Sequence, residues 1–407
     1  MTNGFDKKQG DQPVLNASPG ILKEPGGSSV NNPPAADELE PVSSESGGVI
    51  VGKPEKIEGT EGFYNPAAWR YVDKYGVPKI CLLGRDVKMP DQASATDDKP
   101  VEFTADGDPI VGGGPDVGPI VLKVIGPDGR IIPELTKIVF EPKVGGPSFE
   151  DFRALSLDDG TLIFGLTWVE PDGTPFPAML VTTTEELMEP GTSVEPKIVK
   201  DLGSGDQTTP LDEEGVKIPG KNLTPIDRHS SDTDTYSFMF RSQGKENRHR
   251  LQVFYVKEGV VTHRYDIKLP TDKEWGEWQM GTGAPPEWTD KTRREAITLI
   301  HGITIVNGEY VYTFASARMY RDQDDVLSLD NIGKPLLTSA LFDDVVQRHR
   351  GRNAFYIDGW VPHRDEDGNL VLLEVFGSPG DSRTDRVFLD PREIIRQWKR
   401  PELAVAA

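Results

Sequence analysis

Short apolar runs recur along the chain, each about the length of one β-strand and each closed by turn residues. Residues 78–84 (PKICLLG), 120–125 (IVLKVI), 161–167 (TLIFGLT) and 236–241 (YSFMFR) are of this kind. So are residues 251–256 (LQVFYV), 296–305 (AITLIHGITI), 310–315 (YVYTFA) and 370–376 (LVLLEVF). Between them stand Pro127-Asp128-Gly129, Asp159-Gly160, Pro171-Asp172-Gly173, Asn307-Gly308 and Asp367-Gly368. Asp-Gly and Asn-Gly pairs accept the positive φ of a tight hairpin turn, so these dipeptides predict hairpins. Helical patterns are few. Residues 391–399 predict a short C-terminal helix with a proline in its first turn, and residues 339–349 predict another. The pattern is that of an all-β chain.

A run ending in a polar or glycine position comes five times: LLGR at 82–85, FGLT at 164–167, FMFR at 238–241, LIHG at 299–302 and EVFG at 374–377. Read as the inner strand of a repeating unit, these runs predict a five-bladed β-propeller. Their spacing of roughly 60 to 80 residues exceeds the ~40–45 of a bare four-stranded blade, which leaves room for long loops. On periodicity alone a β-sandwich of the same size fits as well.

Composition alters this picture at the N-terminus. Residues 1–58 are rich in Gly, Pro, Ser, Asn and Glu and nearly lack aromatics, which predicts a disordered tail ahead of a folded domain at residues 59–407. Within that tail, residues 48–57 form the segment expected to pack on the domain. The formal net charge is −21, from 45 basic and 66 acidic residues. Such a surface repels nucleic acid and anionic membranes, tolerates a neutral sugar, and admits phosphate only into a locally basic pocket. Cys81 is the single cysteine, so no intramolecular disulfide forms; a buried thiol is expected. The N-terminus has no apolar signal core and no run approaches the ~20 apolar residues of a membrane span. A cytoplasmic location is therefore expected, while the oligomeric state stays open. The histidines lack metal-ligand spacing, His249 and His349 fall in Arg-His-Arg runs, and Gly112–Gly114 lead to no Lys-Ser/Thr. No metal or organic cofactor is expected.

Several motifs point to chemistry. Residues 61–68 read EGFYNPAA and 82–85 LLGR; residues 149–155 read FEDFRAL, followed by an Asp-Gly hairpin. Residues 221–226 read KNLTPI, in which Leu-Thr-Pro signals a turn, and Phe240-Arg241 follows at strand distance. GTGAPP at 281–286, LIHG at 299–302 and FGSPGD at 376–381 complete the series. In this order the motifs resemble glycoside hydrolase family 130, the β-mannoside phosphorylases and hydrolases, across most of the chain beyond residue 60. The resemblance implies a five-bladed β-propeller with a funnel-shaped central site. It implies an oligosaccharide substrate whose β-mannosidic linkage is cleaved with inversion, by hydrolysis or by phosphorolysis with inorganic phosphate as co-substrate.

The same resemblance implies site residues. Asp151 would be the general acid, since a departing sugar oxygen needs a proton. Asn65, Arg85, Arg153, Lys221, Asn222, Arg241, His301 and Asp381 would bind substrate. Guanidinium forks and a lysine suit phosphate or hydroxyls, and Asn or Asp suits sugar hydroxyls. Read without the resemblance, the same residues fit surface ion pairs, an ordinary loop and a structural histidine. Phe152 and Ile300 stand where the family has proline and tyrosine, and residues 155–220 hold no arginine, so phosphorolysis and hydrolysis both stay open. An inverting hydrolase requires a second carboxylate about 6.5–9.5 Å from the acid, with Glu150 and Glu374 as candidates. Trp69, Trp168, Trp278, Trp288 and Trp360 suit either core packing or stacking on sugar faces. The alternative to an enzyme is a non-catalytic propeller that binds carbohydrate or a protein partner.

Overall fold

All eight apolar runs form strands, and the five repeated runs take one equivalent place in five antiparallel sheets. The computed structural model describes residues 48–87, 118–190, 194–201, 220–242, 250–268, 279–342 and 352–398, less a few single or paired positions, with the short strands at 102–103, 109–110 and 216–217. Residues 1–47, Gly112–Gly114, His249, Trp278, Asn307-Gly308 and most of the helix expected over 339–349 lie outside the described residues. Within that span Ser339–Leu341 forms one 3-10 turn.

The sheets are the blades of a five-bladed β-propeller. From the axis outward, blade 1 holds Phe63–Val72, Pro78–Asp86, Ile120–Ile125 and Lys137–Phe140. Blade 2 holds Ser148–Ser156, Thr161–Val169, Pro175–Thr183 and Lys197–Ile198, and blade 3 holds Gly220–Arg228, Thr235–Ser242, Arg250–Lys257 and Val260–Lys268. Blade 4 holds Gln279–Thr282, Glu295–Val306, Glu309–Arg321 and Leu327–Asp330. Blade 5 holds Phe355–Arg364, Leu370–Pro379 and Asp385–Leu389, and its outer strand is Ile50–Lys56 from the other end of the chain.

The repeated runs are therefore the second strand of each blade, not the inner one. A second strand is paired along both edges and covered on both faces by neighbouring blades, so it reads as nearly continuous apolar sequence. The inner strand has one free edge toward the axis and carries polar residues there. Leu-Thr-Pro at 223–225 is accordingly no turn but part of the inner strand Gly220–Arg228. Its proline is tolerated because that strand lies at a sheet edge.

Five clusters of buried side chains fill the seams between blades. Phe152 and Phe164 meet Trp69 and Leu83 between blades 1 and 2. Leu223 and Phe254 meet Ile163 between blades 2 and 3, and Met239 and Val253 meet Ile300 and Met319 between blades 3 and 4. Phe314 meets Phe355 between blades 4 and 5, and Phe63 meets Val361 and Phe376 across the closing seam. Cys81 lies in the first seam, where burial pushes its thiol up to about 12. Neighbouring blades come so close that a Cβ on Gly165 would lie 2.1 Å from the Leu223 carbonyl oxygen, and one on Gly359 2.3 Å from the Ala68 nitrogen.

Closure depends on the N-terminal strand. Ile50 and Val51 pair with Leu389 and Phe388, and Val49 and Ile50 sink into the core between blades 4 and 5. The propeller thus takes in residues ahead of position 59, within the segment expected to pack on the domain. The C-terminal helix Pro391–Trp398 follows directly, burying Ile394 and Trp398 in the same core.

The inner strands share a second feature. Asn65, Asp151 and Asn222 have φ of 52°, 57° and 61°, in the left-handed region. Each sits where the pairing with the second strand slips: between Tyr64 and Ala67, Glu150 and Arg153, and Lys221 and Thr224. Asn and Asp tolerate this conformation better than other side-chain-bearing residues. Blade 5 slips between Ile357 and Gly359, and there the chain carries Asp358.

Deleting residues 1–56 removes the closing strand, and loss of the buried Val49, Ile50 and Val51 costs roughly 5 kcal/mol. Thermal denaturation will show a markedly lower midpoint than for a chain beginning at residue 48. Gly359→Ala forces the inner strands of blades 1 and 5 apart and costs about 1–3 kcal/mol in the same measurement.

Candidate active site

The bulged residues bring the sequence-predicted site together where the inner strands converge. Arg85, at the end of the second strand of blade 1, lies over the Tyr64 ring at 4.7 Å. Its Nη1 is 3.1 Å from Glu150 Oε2 and its Nη2 is 3.8 Å from Asp151 Oδ1. Lys221 reaches Glu150 from blade 3, with Nζ 2.7 Å from Oε1. Glu150 is thus held between two cations, while its neighbour Asp151 keeps a more distant partner in Arg85. The two carboxylates leave the strand differently because the bulge at Asp151 breaks the alternation of faces.

Arg153 has no exposed surface. Its Nε donates to the Gly283 carbonyl oxygen (2.9 Å), its Nη1 to the Asp151 carbonyl oxygen (3.1 Å) and its Nη2 to Asn222 Oδ1 (3.0 Å). The same Nη2 lies 2.7 Å from Asp358 Oδ1. The guanidinium therefore links blades 2, 3, 4 and 5 and is fully engaged by protein groups. It was expected to bind substrate; the groups within its reach here are protein ones.

His301, on the second strand of blade 4, is also fully buried. Its Nδ1 is 3.0 Å from the Thr282 carbonyl oxygen. A carbonyl can only accept, so Nδ1 carries the proton and Nε2 is left as an acceptor, with no partner among the described residues. Burial, with the nearby Arg241 and Arg153 charges, holds the imidazole well below its ordinary pKa, so it is neutral. Space for the ring is made by Gly281, where a Cβ would lie 2.4 Å from His301 Cε1 and 3.0 Å from Asn222 Nδ2. Arg241 is the cross-strand partner of Lys221 and lies within electrostatic reach of Asp151, Arg153 and His301.

Asn65 and Asp381 occupy the side formed by blades 1 and 5. The Asn65 N–H donates to Ser378 Oγ (2.7 Å), and its buried Oδ1 has no partner among the described residues. Asp381 has a left-handed φ of 51° just beyond the strand Leu370–Pro379, and its charge acts on both Arg85 and Asp358.

Glu374, a candidate second carboxylate, does not join this group. It lies on the second strand of blade 5, with Oε2 2.9 Å from His363 Nε2 and Oε1 3.5 Å from Arg386. Its alternation with Val375 turns it into the blade's own ion-pair network. The tryptophans stay in the seams: Trp69, Trp288 and Trp360 are buried, and Trp168 packs on the core between blades 1 and 2.

The residue that the motifs missed is Asp358. It has no exposure, and burial pushes its carboxyl up to about 7, with Arg153 pulling the other way. The available signal was an acid in the middle of an apolar run, FYIDGW, where an Asp-Gly pair is followed by more strand.

No protein-family model matches the chain, and no curated protein matches it. Solved structures do. The β-1,2-mannobiose phosphorylase of Listeria innocua, in complex with β-1,2-mannobiose, is 14% identical over 90% of this chain and 96% of its own, with a TM-score of 0.56. A thermostable family-43 glycoside hydrolase is 10% identical over 83% of this chain and 92% of its own (TM-score 0.46), and a hypothetical protein from Leishmania major is 11% identical over 84% and 90% (TM-score 0.46). At these identities the likeness is one of fold: the chain shares the five-bladed propeller with the mannobiose phosphorylase.

Proposed function

We propose that the chain is a glycoside-cleaving enzyme acting on β-mannosides, with Asp151 as the general acid. The observation that carries this reading is the placement of Asp151. It is held in a left-handed bulge beside Arg85, in a cluster that also contains Lys221, Arg241 and a neutral His301. Asp151 would protonate the departing sugar oxygen, directly or through a sugar hydroxyl. Asn65 and Asp381 on one side offer polar atoms for sugar hydroxyls. Lys221 and Arg241 on the other offer cations, and His301 Nε2 a lone pair, to an attacking phosphate that carries a proton of its own.

The charge pattern favours phosphate over water as the attacking group. An inverting hydrolase requires a second carboxylate free to deprotonate water. Glu150 is bound by Arg85 and Lys221, and Asp358 is sealed below Arg153. Phosphate needs no such base. Hydrolysis is the second reading.

Two measurements test this. Asp151→Asn lowers turnover of β-1,2- or β-1,4-mannobiose about 1,000-fold while sugar binding persists, the loss typical of a general acid. Unchanged turnover in this variant would sink the assignment. Binding without turnover by the wild-type chain would favour the non-catalytic alternative. Incubation with and without inorganic phosphate, followed by product analysis, separates the two chemistries: mannose 1-phosphate is expected, and free mannose formed at the same rate without phosphate would establish hydrolysis.

A further inference from the structure

We propose that Asp358 is a positioning residue whose carboxylate holds Arg153 across the base of the site and makes the working geometry depend on its own ionisation. The proposal rests on the glycoside-cleaving reading for its activity readout, and on the structure alone for its second readout.

Asp358 and Arg153 have no exposure, and Nη2 of Arg153 lies 2.7 Å from Asp358 Oδ1. That same Nη2 donates to Asn222 Oδ1, and Nη1 donates to the backbone carbonyl of Asp151. Two of the bulged residues are therefore fixed through one guanidinium, and the guanidinium is anchored by one carboxylate. The bulge of blade 5 delivers that carboxylate to the axis, as the bulges of blades 1 to 3 deliver Asn65, Asp151 and Asn222. Removing the negative charge leaves Arg153 buried without compensation, and a displaced fork would shift Asp151 and Asn222 together.

The groups that act on Asp358 come from three elements. Arg153 and Asp151 lie on the inner strand of blade 2, Arg85 on the second strand of blade 1, and Asp381 beyond the strand Leu370–Pro379. The two arginines favour the ionised form; burial and the two aspartates oppose it. The balance puts the carboxyl at about 7, so the anchor forms as pH rises through neutrality. A protonated Asp358 keeps a carbonyl oxygen that can accept from Arg153, but it loses the charge that pairs with the guanidinium, and the contact weakens.

The sign for stability runs the other way. A carboxyl raised from 3.8 to about 7 on folding contributes stability that is complete below the unfolded value and is lost as pH rises through about 7. The ion pair thus gives up stability to hold the site in order.

The test is Asp358→Asn, measured in two ways. The activity profile of the wild-type chain on mannobiose should rise through an ionisation near 7, and the variant should lack that limb. Its loss should reach about 100-fold at alkaline pH and shrink toward pH 6, in line with the cost of displacing a site by an ångström. A uniform loss with the limb retained overturns the proposal, because a merely structural residue would give that result; so does an unchanged profile. Independently of turnover, the unfolding midpoint of wild type relative to Asp358→Asn should fall between pH 5 and pH 8, and a constant difference overturns the proposal. A chain without glycosidase activity but with this pH-dependent difference would reject the enzyme reading and keep the ionising anchor. If Asp358→Asn does not fold, the double variant Arg153→Met, Asp358→Leu replaces the pair with apolar groups. Folded and inactive is the expected result; full activity, or failure of this variant to fold as well, overturns the positioning role.

Discussion

One buried guanidinium holds the centre of this propeller together. Five sheets packed face to face are stable through their seams, but the seams say nothing about the axis, where five inner strands end their hydrogen bonding. Arg153 takes up that place. Its fork donates to carbonyl oxygens of blades 2 and 4 and an amide oxygen of blade 3, and its charge pairs with a carboxylate of blade 5. The Asp151 carbonyl, at the bulge of blade 2, finds a donor there, and the charge finds its counterion. A lysine could not do this, because one ammonium on a flexible stem lacks the planar fork that reaches four blades at once.

The bulges and the arginine depend on each other. A regular inner strand would point alternate side chains at the axis and hide the rest in the seams. The slip at Asp151 lets Glu150 and Asp151 both reach Arg85 while Phe152 still fills the seam between blades 1 and 2. Left-handed backbone at a non-glycine residue is unfavourable, and such conformations persist only where the surroundings enforce them. Here the enforcing contacts are the Arg153 bond to the Asp151 carbonyl, the Arg153 bond to Asn222 and the Ser378 bond to the Asn65 N–H. The same residues that build the site hold the blades in phase around it.

The sequence made the second strands legible because they are apolar along their whole length, and it made the Asp-Gly turns and the C-terminal helix legible for local reasons. It concealed the inner strands for the reason that makes them useful. Asn65, Asp151 and Asn222 interrupt the alternation of polar and apolar positions, and Pro66 and Pro225 look like breakers although both lie in edge strands. Lys221-Asn222 therefore read as a loop. The motif order gathered nine residues that fall in or against the axial cluster. It could not separate a side chain sealed by protein from one with exposed surface, and so Arg153 was grouped with Lys221. That distinction is one of burial: Arg153 is 0% exposed, whereas the side chain of Lys221 is 36% exposed. Asp358 escaped because its partner lies on another blade, and the closing strand because Ile50 meets Leu389 from the far end of the chain.

The balance of charge at the axis bears on how a −21 chain could handle an anion. Four cations, Arg85, Arg153, Lys221 and Arg241, stand among four carboxylates, Glu150, Asp151, Asp358 and Asp381. They are not interchangeable, because their depths differ. Arg153 and Asp358 neutralise each other below the site, and Arg85 and Lys221 share Glu150. The remaining polar groups are divided by side: Arg241 with His301 toward blades 3 and 4, and Asp381 with Asn65 toward blades 1 and 5. On the proposed reading, a neutral sugar would lie toward Asp381 and Asn65, and an anion toward Arg241, on the other side of Asp151. The arrangement keeps this polarity only while the deep pair stays neutral as a unit, which makes the buried Asp358 as relevant to the electrostatics of the site as the acid that faces it.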